Sequence, residues 1–214
     1  MAINRAAAHE QIKNHLIERI LDGTYKPGDR LVELQIAEEL KTSQGPVREA
    51  FRYLEGMRLI ETEPYKGTRV RQITDMEMED SSQVRAVMEE LAGQLAALHL
   101  KGDTTALERE AELFMDAARR KDVAAYSKHD IAFHRLILEA SGNEILLQVW
   151  DAVVLEGRFR RTLSKIGEEQ LVEFGTAHLG VIDSLKCGDG AGAGIFLKNL
   201  ICKYHGLSLN NAAK

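Results

Sequence analysis

Asp130, His134 and His178 have the side-chain types and spacing that suit metal coordination. On a helix over about 122–141, Val123, Tyr126, Asp130, Phe133, His134 and Ile137 share one face. Asp130 and His134 stand one turn apart on it. On a helix over about 167–187, Leu171, Phe174, His178, Val181, Ile182 and Leu185 form the apolar stripe, which turns His178 inward. A carboxylate on an apolar face is costly unless it is paired. One Asp and two His facing a common interior suit a divalent metal with oxygen and nitrogen ligands, and zinc fits those ligand types. A plainer reading stays open, in which a hydrogen-bonded core histidine lies beside an Asp130–His134 i,i+4 pair. His9, His15, His99 and His129 lie off these stripes and are expected at the surface.

A second group of residues is basic and could meet phosphate and base edges. Pro27-Gly28 is a turn signal, and Leu34, Ala37 and Leu40 then suit a short helix. After a break at Lys41-Thr42, Ser43 is a good N-cap, and Pro46 is tolerated in the first turn of the next helix. That helix turns Val47, Ala50, Phe51 and Leu54 inward and Arg48, Arg52 and Arg58 outward. Short helix, tight turn and second helix with basic residues near its start form a helix-turn-helix, whose second helix enters the major groove. Leu59–Thr62 and Thr68–Arg71, joined through Pro64-Tyr65-Lys66-Gly67, read as a β-hairpin carrying Lys66, Arg69 and Arg71, so the helix-turn-helix is winged.

Charge follows the same division. The 214 residues carry a net charge of −5. Residues 1–72 sum to +1 and residues 73–214 to −6, while 41–71 alone reach +3. Positive charge therefore gathers on the second helix and wing, as a small DNA-binding module joined to an acidic domain requires. No apolar run approaches the ~18–20 residues needed to cross a bilayer, and the start does not read as a signal peptide. A cytoplasmic protein is expected, with Cys187 and Cys202 as buried free thiols.

Apart from the hairpin the chain is mainly α. Beyond Asp75 lie six expected helices, roughly 75–101, 103–120, 122–141, 143–165, 167–187 and 190–208, packed as a bundle with mostly antiparallel neighbours. In the first of them Val84, Val87, Met88, Leu91 and Leu95 form the apolar stripe, flanked by Arg85. The run Gly188-Asp189-Gly190-Ala191-Gly192-Ala193-Gly194 lacks the Lys-Ser/Thr of a phosphate loop. It reads as a flexible start that makes the last helix the softest.

The run Ile20–Leu31, Ser43-Gln44-Gly45-Pro46-Val47-Arg48-Glu49-Ala50 and Lys66-Gly67-Thr68-Arg69-Val70 resembles the DNA-binding domain of GntR-family bacterial transcription regulators. The likeness implies DNA contacts from Arg30, Ser43, Gln44, Gly45, Pro46, Arg48, Arg52, Lys66, Gly67 and Arg69. Gln44 stands where many relatives carry arginine, and glutamine pairs with adenine where arginine favours guanine. Arg85-x-x-x-Glu89, Asp130-x-x-x-His134, Ser141-Gly142-Asn143, His178 and Gly188-Asp189 look like the helical FCD effector domain of the FadR branch, in its six-helix VanR-like type. That resemblance implies a metal held by one Asp and three His, with a small carboxylate completing the shell. Asp130, His134 and His178 match three ligands. The fourth position falls on Leu200, which cannot ligate, and His205 lies five residues further on, off that face. Arg85 could form a fork with the effector's carboxylate, or pair with Glu89 at the surface. Arg158, Arg160 and Arg161 crowd one helix without revealing which faces inward.

These readings give a winged helix-turn-helix domain over 1–73 and a helical effector-binding and dimerisation domain over 74–214. One recognition helix buries too little surface for physiological affinity, so a homodimer on double-stranded, pseudo-palindromic operator DNA is expected. Repression is the expected sign, and a small organic acid the expected effector. The rival is a helical metalloenzyme using an Asp/His/His-bound ion, since three protein ligands plus water is the catalytic zinc pattern. Against it, no residue is placed by motif as a general base.

Overall fold

In a computed structural model, residues 5–163 and 170–205 are described, with side chains described over 8–154 and 170–203. Arg158, Arg160, Arg161 and His205 fall outside the described side chains. The chain splits into two compact units, Met1–Thr74 with Arg158–Leu163, and Asp75–Gly157 with Ser164–Lys214; each is taken separately below, with α7 described under the second, which holds most of it.

The first unit contains α1 (Arg5–Leu21), β1 (Arg30–Leu31), α2 (Glu33–Glu39), α3 (Gln44–Gly56), β2 (Ile60–Glu63) and β3 (Gly67–Val70). Its core joins Ile12, Leu16 and Ile20 of α1 to Val47, Ala50, Phe51 and Leu54 of α3 and to Leu59, Ile60 and Val70. The hairpin gains a strand that the sequence pattern does not announce. β1 pairs antiparallel with β3, placing Arg30 opposite Arg69, in a sheet of order β1-β3-β2. In α2 the buried residues are Ile36 and Ala37, whereas Leu34 is half exposed, so the inward face is rotated from the one expected. Ser43 occupies the N-cap of α3 in extended backbone, but its side chain makes no capping hydrogen bond.

The second unit contains α4 (Asp75–Leu100), α5 (Thr105–Arg119), α6 (Val123–Ala140), α7 (Glu144–Leu163), α8 (Leu171–Ala177), α9 (Leu179–Cys187) and α10 (Gly190–His205). The expected fifth helix is therefore two segments, interrupted at His178. There the backbone N–H of His178 donates to the carbonyl of Gly175, three residues back, at 3.1 Å. The carbonyl of Phe174, four back, is instead met by the imidazole Nδ1 at 2.9 Å. The side chain thus takes the acceptor that a continuous helix would give its own backbone.

α4 also corrects the sequence reading. Its buried face carries Ser82, Ala86, Met88, Glu89, Ala92, Gly93, Ala96 and Ala97. Val84, Val87, Leu91 and Leu95 of the expected core stripe are exposed, as is Leu98. The small residues allow α10 to lie close against α4. A Cβ on Gly190 would stand 2.7 Å from the Gln94 carbonyl oxygen, and one on Gly194 would stand 2.6 Å from that of Glu90. The glycines of the last helix permit this close approach. Cys187 is exposed and Cys202 half-buried, both as free thiols, so the expectation of two buried thiols fails. Among the described residues, no helix is long and apolar enough to cross a membrane.

Candidate metal centre and nucleic-acid interface

α6 and the α8–α9 junction bring Asp130, His134 and His178 together, all of them buried. One ligand atom from each lies within 4.8 Å of the others. Nε2 of His178 is 3.3 Å from Nε2 of His134 and 3.3 Å from Oδ1 of Asp130. Donors bound at 2.0–2.1 Å to a tetrahedral ion stand ~3.3–3.4 Å from one another. These two separations therefore already match the edges of a zinc-sized tetrahedron.

The far sides of both rings explain why the near sides favour a cation. His178 presents Nδ1 to the Phe174 carbonyl, and His134 presents Nδ1 to Glu89 Oε2 at 2.5 Å, obliquely to the ring N–H. A carbonyl and a carboxylate only accept, so each Nδ1 carries the hydrogen. Burial pushes the His134 pKa down, although the Glu89 charge opposes the shift. An imidazole with its hydrogen on Nδ1 presents Nε2 as a lone pair, the form in which histidine ligates a metal, and both Nε2 atoms here face each other beside the Asp130 carboxylate. Phe114 and Phe133 pack on the His178 ring with centroids 4.8 and 5.1 Å away, walling the cluster in apolar surface.

Glu89, which the sequence offers only within Arg85-x-x-x-Glu89 and as a partner of Arg85, joins this site. It is wholly buried on α4, and its carboxylate accepts from Arg85 Nε at 2.6 Å and from Trp150 Nε1 at 2.7 Å while facing His134. Burial alone would raise its pKa, but the Arg85 charge beside it and its hydrogen bonding, that of Trp150 included, bring it to about 2. Arg85 is neither at the surface nor free to fork through Nε, because Glu89 holds that nitrogen with only 11% of the side chain exposed. The spacing Arg85-x-x-x-Glu89 was the available signal. Trp150 gave none beyond its place in the stripe Leu146, Trp150, Val154 of α7. Leu200, at the position of the expected fourth ligand, is 4% exposed and joins the hydrophobic core. Of the histidines expected at the surface, only His99 is exposed. His9, His15 and His129 are half-buried, His129 with Nδ1 2.8 Å from Glu110 Oε2.

In the first unit Ser43, Gln44, Gly45 and Arg48 are exposed around the first turn of α3, with Pro46 half-buried among them and Arg52 exposed one turn on. On the wing, Arg30 and Arg69 are cross-strand neighbours, and the Arg30 guanidinium lies 3.3 Å from where a Cβ on Gly67 would sit. Gly67 also has φ +84°, a conformation that favours glycine. Arg69 Nη1 donates to the Gly28 carbonyl at 3.0 Å, and Lys66 pairs with Glu63 at 2.5 Å. Arg48 is gripped by Glu33 of α2.

Residues 8–70 match the model of bacterial regulatory proteins of the gntR family, and residues 80–201 match the FCD domain. The chain belongs to the gntR family, with an FCD domain. One relative, "Probable D-xylose utilization operon transcriptional repressor" of Paenarthrobacter nicotinovorans, is 29% identical over 87% of this chain and 82% of its own length. The galactonate operon transcriptional repressor of Escherichia coli (strain K12) is 27% identical over 90% of this chain and 92% of its own. The solved structure of E. coli McbR/YncC superposes with a TM-score of 0.80 at 23% identity, covering 95% of this chain and 96% of that one, and supports the fold. These families and relatives are transcription regulators, so the metalloenzyme reading gives way to a gntR-family regulator with an FCD domain.

Proposed function

We propose that this gntR-family protein is a metabolite-responsive repressor, acting as a homodimer on operator DNA from the cytoplasm. Residues 1–73 bind the operator. Gln44 and Arg48 meet bases or the adjacent backbone, with Ser43, Gly45, Pro46 and Arg52 beside them. Arg30, Lys66, Gly67 and Arg69 hold phosphate along the wing. Residues 74–214 bind a small carboxylate and form the dimer. The exposed stripe Val84, Val87, Leu91, Leu95 and Leu98 recurs every three or four residues along α4 and supports a second copy as its partner.

The observation that carries the effector half of this reading is the 3.3 Å convergence of His134 Nε2, His178 Nε2 and Asp130 Oδ1. These residues would hold a divalent ion, with zinc suited to the donor set, and that ion would supply a Lewis-acid anchor for a carboxylate oxygen. Because Leu200 replaces a fourth protein donor, more than one coordination position stays open for water or the acid. Arg85, expected to meet the effector itself, enters through Glu89, whose charge it balances. Relatives are named for galactonate and gluconate operons, which supports a hydroxylated acid able to chelate through two oxygens.

Occupancy can shift DNA binding only by the difference in ligand affinity between the two conformations. A coupling of about 1–3 kcal/mol, or roughly 5–150-fold, is the usual range, and linkage makes it reciprocal. Calorimetric titration of candidate acids into zinc-loaded protein, free and operator-bound, tests the reading. Unequal affinities are expected, and equal ones would show that the site does not regulate DNA binding.

A further inference from the structure

Arg48 and Glu33 come from different helices, α3 and α2, and meet in a two-pronged ion pair. Arg48 Nε donates to Glu33 Oε2 at 3.1 Å and to Oε1 at 3.2 Å, while Nη2 donates to Oε2 at 2.9 Å. A guanidinium carries five N–H donors in one rigid plane. This side-on grip consumes the Nε hydrogen and one Nη2 hydrogen. It leaves an outer edge made of Nη1 and the second Nη2 hydrogen, two parallel donors at the tip of the side chain. Guanine presents two acceptors, O6 and N7, on its major-groove edge, whereas adenine presents one acceptor and one donor. The outer edge of Arg48 therefore complements guanine and is opposed by the amino group of adenine.

We propose that Glu33 is a positioning residue that fixes Arg48 to read a guanine in each operator half-site. This rests on the DNA-binding role proposed above for α3. Charge separates the pair from its neighbours. Glu33 cancels most of the field of Arg48, so the pair adds base discrimination but little phosphate attraction. Arg52, exposed one turn on and without an ion-pair partner among the described residues, is left to attract the backbone. The arrangement also divides the base-reading work in α3, since Gln44 at its first position favours adenine.

The test selects sites for the full-length chain from random duplex DNA. Affinity is then measured for the selected site and for versions with each guanine changed to adenine, across a salt series. The wild-type protein is expected to prefer guanine at one half-site position by roughly 5–150-fold, the worth of one bidentate contact. Glu33→Gln should lose most of that preference while binding random duplex more tightly, because a negative charge has gone. Arg48→Lys, which keeps the charge without the fork, should lose the preference as well. Arg52→Ala should keep the preference and flatten the salt slope by about 0.9 per phosphate contact. Glu33 and Arg48 are surface residues, so thermal melts are expected to match wild type. Full guanine preference retained in Glu33→Gln, or a selected site with no guanine that depends on Arg48, overturns the proposal while leaving DNA binding intact. Failure of the wild-type chain to select any DNA overturns both it and the reading it rests on.

Discussion

Replacing Glu89 with glutamine separates two quantities that the buried network ties together. The carboxylate accepts from Arg85 and Trp150 through one oxygen and faces His134 Nδ1 with the other. Glutamine preserves the shape and one acceptor but removes the charge, leaving the nearly buried Arg85 guanidinium without its counter-ion. Breaking a buried pair from one side costs about 3–5 kcal/mol. The lower end applies, because the amide oxygen still receives one donor. For a chain of 214 residues that is roughly 6–12 °C in Tm without metal. The second quantity is metal affinity. A carboxylate behind a ligating histidine fixes the Nδ1–H tautomer and aims Nε2 at the metal, and its loss weakens binding about 10–100-fold. With zinc at a hundred times the wild-type Kd, metal stabilises the wild-type fold by about 2.7 kcal/mol, or roughly 5–11 °C. The same zinc concentration gives Glu89→Gln only about 0.4–1.4 kcal/mol, or roughly 1–6 °C. Scanning calorimetry with and without zinc reads both quantities. The single Trp150 gives an independent signal, since its indole N–H is bonded to the mutated group. A variant that melts lower yet keeps the full zinc increment would refute the positioning of His134 by Glu89 and leave that residue a purely structural ion pair.

The exposed stripe of α4 predicts that Val87→Asp with Leu91→Asp converts a dimer to a monomer in sedimentation while the helical circular dichroism persists. Leu200→His, which restores a donor at the position expected for a fourth ligand, should tighten zinc binding in a chelator competition. Unchanged affinity would show that Leu200 does not face the cluster. Gly194→Val should lower stability by about 1–3 kcal/mol through overpacking, because its Cβ would meet the Glu90 carbonyl at 2.6 Å. Denaturant unfolding measures that cost.

Patterns of one period on one element were legible in the sequence. The face of α6 with Tyr126, Asp130, Phe133, His134 and Ile137 is buried as its spacing implies, and so is His178. What the sequence could not give depended on which of two competing faces finds a partner. On α4 the large apolar residues suggest the core face, yet most of the buried face is small, with Ala86, Ala92, Gly93 and Ala96, and at Gly93 α10 lies too close for a side chain. Glu89 escaped for the same reason. A glutamate three residues from a small-residue stripe reads as solvated until Arg85, Trp150 and His134 are seen around it. The break at His178 is also invisible to periodicity, since it arises from a side chain taking a backbone acceptor, and residues on either side keep the helical phase.

α4 then links the pieces in physical terms. One face delivers Glu89 to the back of His134, and the other presents Val84, Val87 and Leu91 away from the bundle. The helix begins at Asp75, next in sequence to Thr74, the last residue of the first unit's N-terminal segment. Were a metal to displace His134 as proposed, Glu89 behind its ring would meet that movement. That group cannot follow by bending at the surface, because its carboxylate is also held by Arg85 and Trp150. Packing at this density transmits a displacement instead of absorbing it. The close contact of Gly93 with the backbone of α10 prevents α4 from moving alone. On the proposed reading, a response to effector would be a shift of α4 and α10 together against α6, and α4 is the helix that follows Thr74 in sequence.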